Sequence, residues 1–179
     1  MIQAEGIFVG GSAISAPIIG EDFNWSGGDG TYQVLDDGGG NWRIKFLSSG
    51  TFTPLKNMVI DAFLVGGGGG AGSSYCGEGG AGYTTTVRSV VLTANTAYSI
   101  VVGAAGTNGH PTSATTGGKG QGTTTREFGE ADGTLYASGG GSNLTATVSN
   151  SGNGGRNGIT SIEPADGIVV IRQHKEVAA

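Results

Sequence analysis

Five consecutive glycines, Gly66 to Gly70, then Ala71 and Gly72, stand directly after the apolar run Val59-Ile60-Asp61-Ala62-Phe63-Leu64-Val65. A second pulse, Gly77-Glu78-Gly79-Gly80-Ala81-Gly82, leads into the β-like Tyr83-Thr84-Thr85-Thr86-Val87. Glycine gives up more backbone freedom on ordering than any other residue, and fixing one residue costs about 1–2 kcal/mol. Such a run is therefore either a linker or a segment that packs backbone against backbone. The strand ahead of it is far too short to be a domain, which disfavours a linker. A glycine segment can instead take the extended threefold helix of the polyproline II type, and such helices approach closely because no side chain intervenes. Its amides then bond sideways to neighbouring strands.

Composition supports a folded chain. Of 179 residues 38 are glycine and 4 proline, with no Gly-X-Y period, which excludes collagen. Only 36% are hydrophobic and 13% charged, whereas disordered chains are usually highly charged, so one thin core in a backbone-rich β protein is expected. Nine Lys and Arg against fourteen Asp and Glu leave a net charge of -5 and no electrostatic footprint for nucleic acid. The single cysteine, Cys76, supports neither an internal disulfide nor a multi-cysteine zinc site. The first residues lack early Lys or Arg and are broken by Gly10, Gly11 and Pro17, unlike a signal peptide, and no apolar stretch is long enough for a membrane span. Synthesis as a soluble protein in a cytoplasm is the expectation.

Residues 1–28 differ from the rest and read as an arm with one or two short strands. They either pack on a neighbouring subunit or form an edge strand of the main domain, residues 29–179. Thr31 to Leu35, a turn at Asp36 to Asn41, and Trp42 to Leu47 read as a hairpin in which Trp42, Ile44 and Phe46 are buried while Arg43 and Lys45 are wet. A short strand follows within Ser49 to Pro54. Beyond the glycine run, Thr84 to Leu92 and Ala97 to Val102 read as a second pair, with Tyr98, Ile100 and Val102 inward. Gly103 to Gly122 is a second low-complexity stretch, and two further glycine pulses precede the closing strand Gly167 to Arg172. No window carries a helical stripe. The expected fold is all-β, a β-sandwich or jelly roll whose glycine-rich connections pack as polyglycine II-type helices at one pole.

Catalytic and metal motifs are weak. Gly66, Gly68 and Ala71 fit a dinucleotide fingerprint on paper, but Gly72 to Gly77 cannot open a helix and no acidic residue stands about 20 positions on. His110 and His174 are not set beside a nucleophile by any motif. Asp22, Asp29, Asp36 and Asp37 fit turns better than a calcium loop. The reading is a protein without catalytic residues, cofactor or metal. Binding is easier to support: Tyr75, Asn108 and His110 rise from the glycine-rich stretches as candidate receptor-facing residues, and Tyr83 is either a fourth or part of the core.

The order of apolar strand, polyglycine, Gly82-Tyr83, Thr-rich strand, Leu92-Thr93, short turn, Tyr98-Ser99-Ile100-Val101-Val102-Gly103, more glycine and Gly167-Ile168-Val169-Val170-Ile171-Arg172 resembles the glycine-rich domain of bacteriophage tail and tail-fibre proteins. It covers about residues 49 to 173. A more distant likeness is to the glycine-rich extracellular domain of the anaplastic lymphoma kinase receptor family. The resemblance implies a non-enzymatic virion protein of the tail tip, baseplate or fibre that attaches to a host polysaccharide or protein, with other virion proteins as partners and a homotrimeric state. The alternatives are a capsid decoration protein or head fibre, with residues 1–28 as the docking arm, and a bacterial surface carbohydrate-binding module.

Overall fold

The computed structural model describes residues 17–71, 78–106, 125–139, 149–155 and 162–173. Its strands are β1 (Phe23–Trp25), β2 (Tyr32–Gly38), β3 (Asn41–Phe46), β4 (Gly50–Pro54), β5 (Met58–Val65), β6 (Thr84–Leu92), β7 (Tyr98–Ile100), β8 (Thr125–Arg126), β9 (Leu135–Tyr136) and β10 (Ile168–Gln173). An antiparallel sheet β1-β4-β7 lies against a broader antiparallel sheet β2-β3-β10-β5-β6, and β8-β9 form a short ladder of their own. Among the described residues the only helical element is one 3₁₀ turn, Glu127–Gly129, and no helix is long and apolar enough to cross a membrane. The protein is an all-β sandwich.

Alternation in β3 sends Trp42, Ile44 and Phe46 into the core between the sheets, as expected of that strand. There they meet Phe23 and Phe52 of the narrow sheet, with Phe46 and Phe52 rings 5.6 Å apart and Phe23 and Phe52 5.3 Å apart. Edge-on and tilted ring pairs of this kind add about 0.5–1.5 kcal/mol each beyond their buried area. Tyr98, Ile100 and Val102 close the same core from β7 and its continuation. β10 lies between β3 and β5 with both faces covered, which is why Ile168-Val169-Val170-Ile171 reads as unbroken apolar sequence. Val169 and Ile171 join the inter-sheet core, while Ile168 and Val170 join a second cluster with Phe63, Val65, Phe128, Tyr136 and Ala137 on the outer face.

Three sequence expectations are refined here. The hairpin β2–β3 forms, with Asp36 Oδ1 accepting the Gly38 amide at 2.8 Å and Gly38, Gly39 and Gly40 all at positive φ, the backbone that this turn requires. Residues 84–92 and 98–100 are strands but not a pair: β6 joins β5 in the broad sheet and β7 joins β4 in the narrow one, because the short connection between them crosses from layer to layer. Within the N-terminal stretch, β1 is an edge strand of the sandwich, Phe23 facing Pro54 across the pairing and buried in the core.

Asn150 fastens the end of β3 to the start of β10. At φ 52°, its Nδ2 donates to the carbonyl oxygens of Leu47 and Gly167, both at 2.9 Å. Asn150→Ala removes both bonds and leaves alanine in the left-handed region, so urea unfolding is expected to show a loss of about 2–3 kcal/mol. Asn150→Gly removes the bonds alone and should lose less than Asn150→Ala; the opposite ranking would show that the backbone there is unstrained.

Candidate functional site

The described glycine segments 66–70, 79–82, 103–106 and 152–155 come together at one end of the sandwich, where β5 ends, and β6 and β10 begin, at paired positions: Val65 opposite Thr84 and Ile168 opposite Val65. The amides of Gly66 and Gly69 donate to Tyr83 O and Gly80 O at 2.9 and 2.8 Å, three residues apart on both segments. Gly79 and Gly82 repeat the step on the next neighbour, donating to Gly155 O and Gly152 O at 2.8 Å. A three-residue repeat of lateral bonds is the signature of the threefold extended helix, which has no internal hydrogen bonds to use its amides. Other faces of 66–71 meet other segments: Gly68 N donates to Ala165 O at 2.9 Å, Gly106 N to Gly68 O at 2.7 Å, and Gly155 N to Gly69 O at 2.8 Å. Segments 79–83, 104–106 and 152–155, with Ala165 beside them, thus surround 66–71 as a bonded lattice.

Close approach, not backbone handedness, demands glycine in this lattice, since Gly66 to Gly69, Gly79 and Gly82 all lie outside the left-handed region. A Cβ on Gly68 would stand 1.9 Å from Asn153 O, one on Gly67 2.0 Å from Ala104 O, and ones on Gly79 and Gly82 1.9 Å from Gly69 O and Gly66 O. One on Gly66 would be 3.5 Å from its nearest neighbour, an ordinary contact. The lattice therefore tolerates side chains on some faces and none on others.

Tyr75, Asn108 and His110 lie outside the described residues. The described residues that bracket them, Ala71, Glu78 and Gly106, belong to the lattice segments or adjoin them. Of the two readings of Tyr83, the structure takes the solvent one, at 74% exposure.

A charged cluster that alternation did not reveal lies on the outer face of the broad sheet. Arg43 and Lys45 are covered by residues 125–139, not wet: each side chain is 16% exposed. Glu127, buried, accepts hydrogen bonds from Lys45 Nζ, from Arg43 Nη1 at 2.6 Å and from the Tyr136 hydroxyl at 2.6 Å. Arg43 also pairs with Asp37 and Glu130, and Arg172 with Glu130 and Asp61. The Arg172 guanidinium lies 4.0 Å from the Phe128 ring centroid. Phe128 itself sits at φ 55°, a strained conformation for a bulky residue that these contacts hold in place. The cluster is visible only once β10 is known to lie between β3 and β5, bringing Arg43, Arg172 and Asp61 into one row.

Burial alone would raise the Glu127 carboxyl, but hydrogen bonds from Lys45, Tyr136 and Arg43 outweigh it and hold the group below its ordinary 4.5. Burial likewise acts upward on Asp61 and is outweighed by the Ser89 amide, Arg172 and Arg88. For a lowered folded-state pKa, the stabilisation is complete above the unfolded value and disappears as pH falls through the folded one. Urea midpoints are therefore expected to be level above about pH 5 and to fall below about pH 4. Glu127→Gln should flatten part of that fall; an unchanged pH slope would show that the carboxylate contributes nothing.

A sandwich whose strand ends are joined by bonded glycine helices is a glycine-rich β domain. A family model described as a glycine-rich domain matches residues 47–172, well over half of the chain, and the chain belongs to that family. No curated protein and no solved structure matches it.

Proposed function

We propose that the chain is a non-enzymatic structural protein of a bacteriophage virion, placed at the tail tip, baseplate or fibre, where it attaches the particle to the host surface. The observation that supports this best is the glycine lattice, a pole built by backbone alone. Ala71, Glu78 and Gly106, which adjoin residues 72–77 and 107–124 in sequence, belong to that pole or border it. In this reading Tyr75, Asn108 and His110 face the receptor, a surface polysaccharide or protein. The buried ionisable groups described here, Glu127 foremost, are taken up by partners that hold the fold, in keeping with a structural role. The protein works in the virion as a homo-oligomer, a trimer by the resemblance, bound to other virion proteins.

Antibodies against the purified chain test the reading on particles of the phage whose genome carries it. Label at the distal tail in electron micrographs, with reduced adsorption, is the expected result. Label on the head would favour capsid decoration instead. Intact particles that carry no label and no peptide of the chain by mass spectrometry would contradict a virion role.

A further inference from the structure

The two sheets differ in width, three strands against five, and among the described residues β6 and β7 are edge strands. Val87 pairs with Ala62, whose side chain packs on the inter-sheet core, so both stand on the inner face of the broad sheet. Yet Val87 is 45% exposed. The narrow sheet does not cover it. Tyr83, four positions earlier on the same side of the extended chain, is 74% exposed, and Val101, just past β7, is 72% exposed. The lattice gathers these ends: a Cβ on Gly66 would lie 3.5 Å from Tyr83 N, and one on Gly103 3.9 Å from Gly66 Cα. Together they form an apolar ledge beside the glycine pole.

Charge separates this flank from the opposite one. From Gly79 to Gly106 the sequence carries a single charged residue, Arg88, and one carboxylate from elsewhere, Asp166, is engaged there by the Ala105 amide at 2.6 Å. The Arg88 guanidinium is turned to the outer face, donating to Asp61 Oδ2 and Phe128 O at 3.1 Å each. The other flank, at the edges β1 and β2 and their connections, carries Glu21, Asp22, Asp29, Asp36 and Asp37. Two copies of a chain with net charge -5 repel through such acidic surfaces. Through Tyr83, Val87 and Val101 they meet on side chains that carry no charge, and each supplies the layer that the other lacks over β6.

We infer that this ledge is a self-association surface, occupied by the ledge of a second copy of the chain. The inference rests on the homo-oligomeric part of the proposed function and gives it a surface, while the placement in a virion is tested separately by the antibody label. Tyr83 and Val101 are the anchors of the contact, and apolar and aromatic residues that lose their water on docking carry most of the affinity in such surfaces. A contact without ion pairs is also expected to hold as salt rises.

Light scattering and sedimentation of the full chain, with Tyr83→Lys and Val101→Glu variants, test this. The expected result is an oligomer that persists in high salt and is weakened about tenfold or more by either substitution, with the far-UV circular dichroism of the parent retained because both positions are exposed. Should either charged variant fail to fold, Tyr83→Ser and Val101→Thr carry the same comparison. A parent chain that stays monomeric at high concentration would overturn the inference, including the case in which deleting residues 1–16 creates association, since the arm would then be the occupant. An oligomer that none of these variants weakens would overturn it equally.

Discussion

Gly68→Val is expected to destabilise the protein by about 3 kcal/mol or more, or to abolish soluble expression, although it adds an apolar side chain to a chain poor in them. The reason is geometric. The new Cβ would lie 1.9 Å from Asn153 O and 2.4 Å from its carbonyl carbon, and both are backbone atoms of a segment that is itself bonded on other sides. A flexible side chain could swing away from such a contact; a lattice strand cannot without breaking its bonds to Ala137, Ser138 and Ala165 or their neighbours. Gly66→Ala is the matched control, since its Cβ meets nothing nearer than 3.5 Å. That substitution should change stability by about 0.5 kcal/mol or less, or raise it, because alanine lowers the entropy of the unfolded chain. Thermal melts of the two variants side by side check the pair. Equal stability for both would mean that the glycines are spacers without packing.

Glu127→Ala should cost about 3–5 kcal/mol, the range for removing one partner of a buried ion pair. The substitution leaves Lys45 without its carboxylate under residues 125–139, whereas Arg43 keeps Asp37 and Glu130. It also removes the acceptor of the Tyr136 hydroxyl. Replacing the pair as a whole is a different perturbation: Lys45→Met with Glu127→Leu removes both charges beside the apolar cluster of Phe63, Phe128 and Val170. The double variant is expected to recover much of the loss, since a buried pair and a well-packed apolar substitute are often of similar worth. Urea unfolding of the two single variants and the double one gives the coupling. Additive losses would show that Lys45 and Glu127 act independently.

The strands were legible in the sequence because alternation and glycine punctuation mark them directly, as in Trp42-Arg43-Ile44-Lys45-Phe46 and in Ile168 to Ile171. The glycine pole was legible for a negative reason: so much glycine in a chain with little charge can be ordered only by backbone contact. Partnering was not legible. Adjacent strands β6 and β7 look like a hairpin, and only the core they share shows that the chain changes sheet between them. Nor can alternation say whether an outward face meets water. Arg43 and Lys45 point outward as expected and are then covered by a segment more than eighty residues away in sequence, with Glu127 as the counter-charge. Tyr83 shows the reverse: an aromatic beside a β-like run, equally suited to core or surface, that ends exposed because the narrow sheet stops short of it. The candidate site is legible to the extent of its framework, which the structure describes, while Tyr75, Asn108 and His110 lie beyond the described residues.

Amide hydrogen exchange followed by NMR tests the glycine lattice most directly, because it reads the proposed bonds one by one. If the amides of Gly68, Gly69, Gly79, Gly82 and Gly155 donate to neighbouring lattice segments as the structure has them, they should exchange as slowly as Val170 in the central strand, and Gly68→Val should release them together. Exchange of these glycines at the rate of an unstructured peptide, with Val170 still protected, would contradict the account: the sandwich would then stand without its lattice.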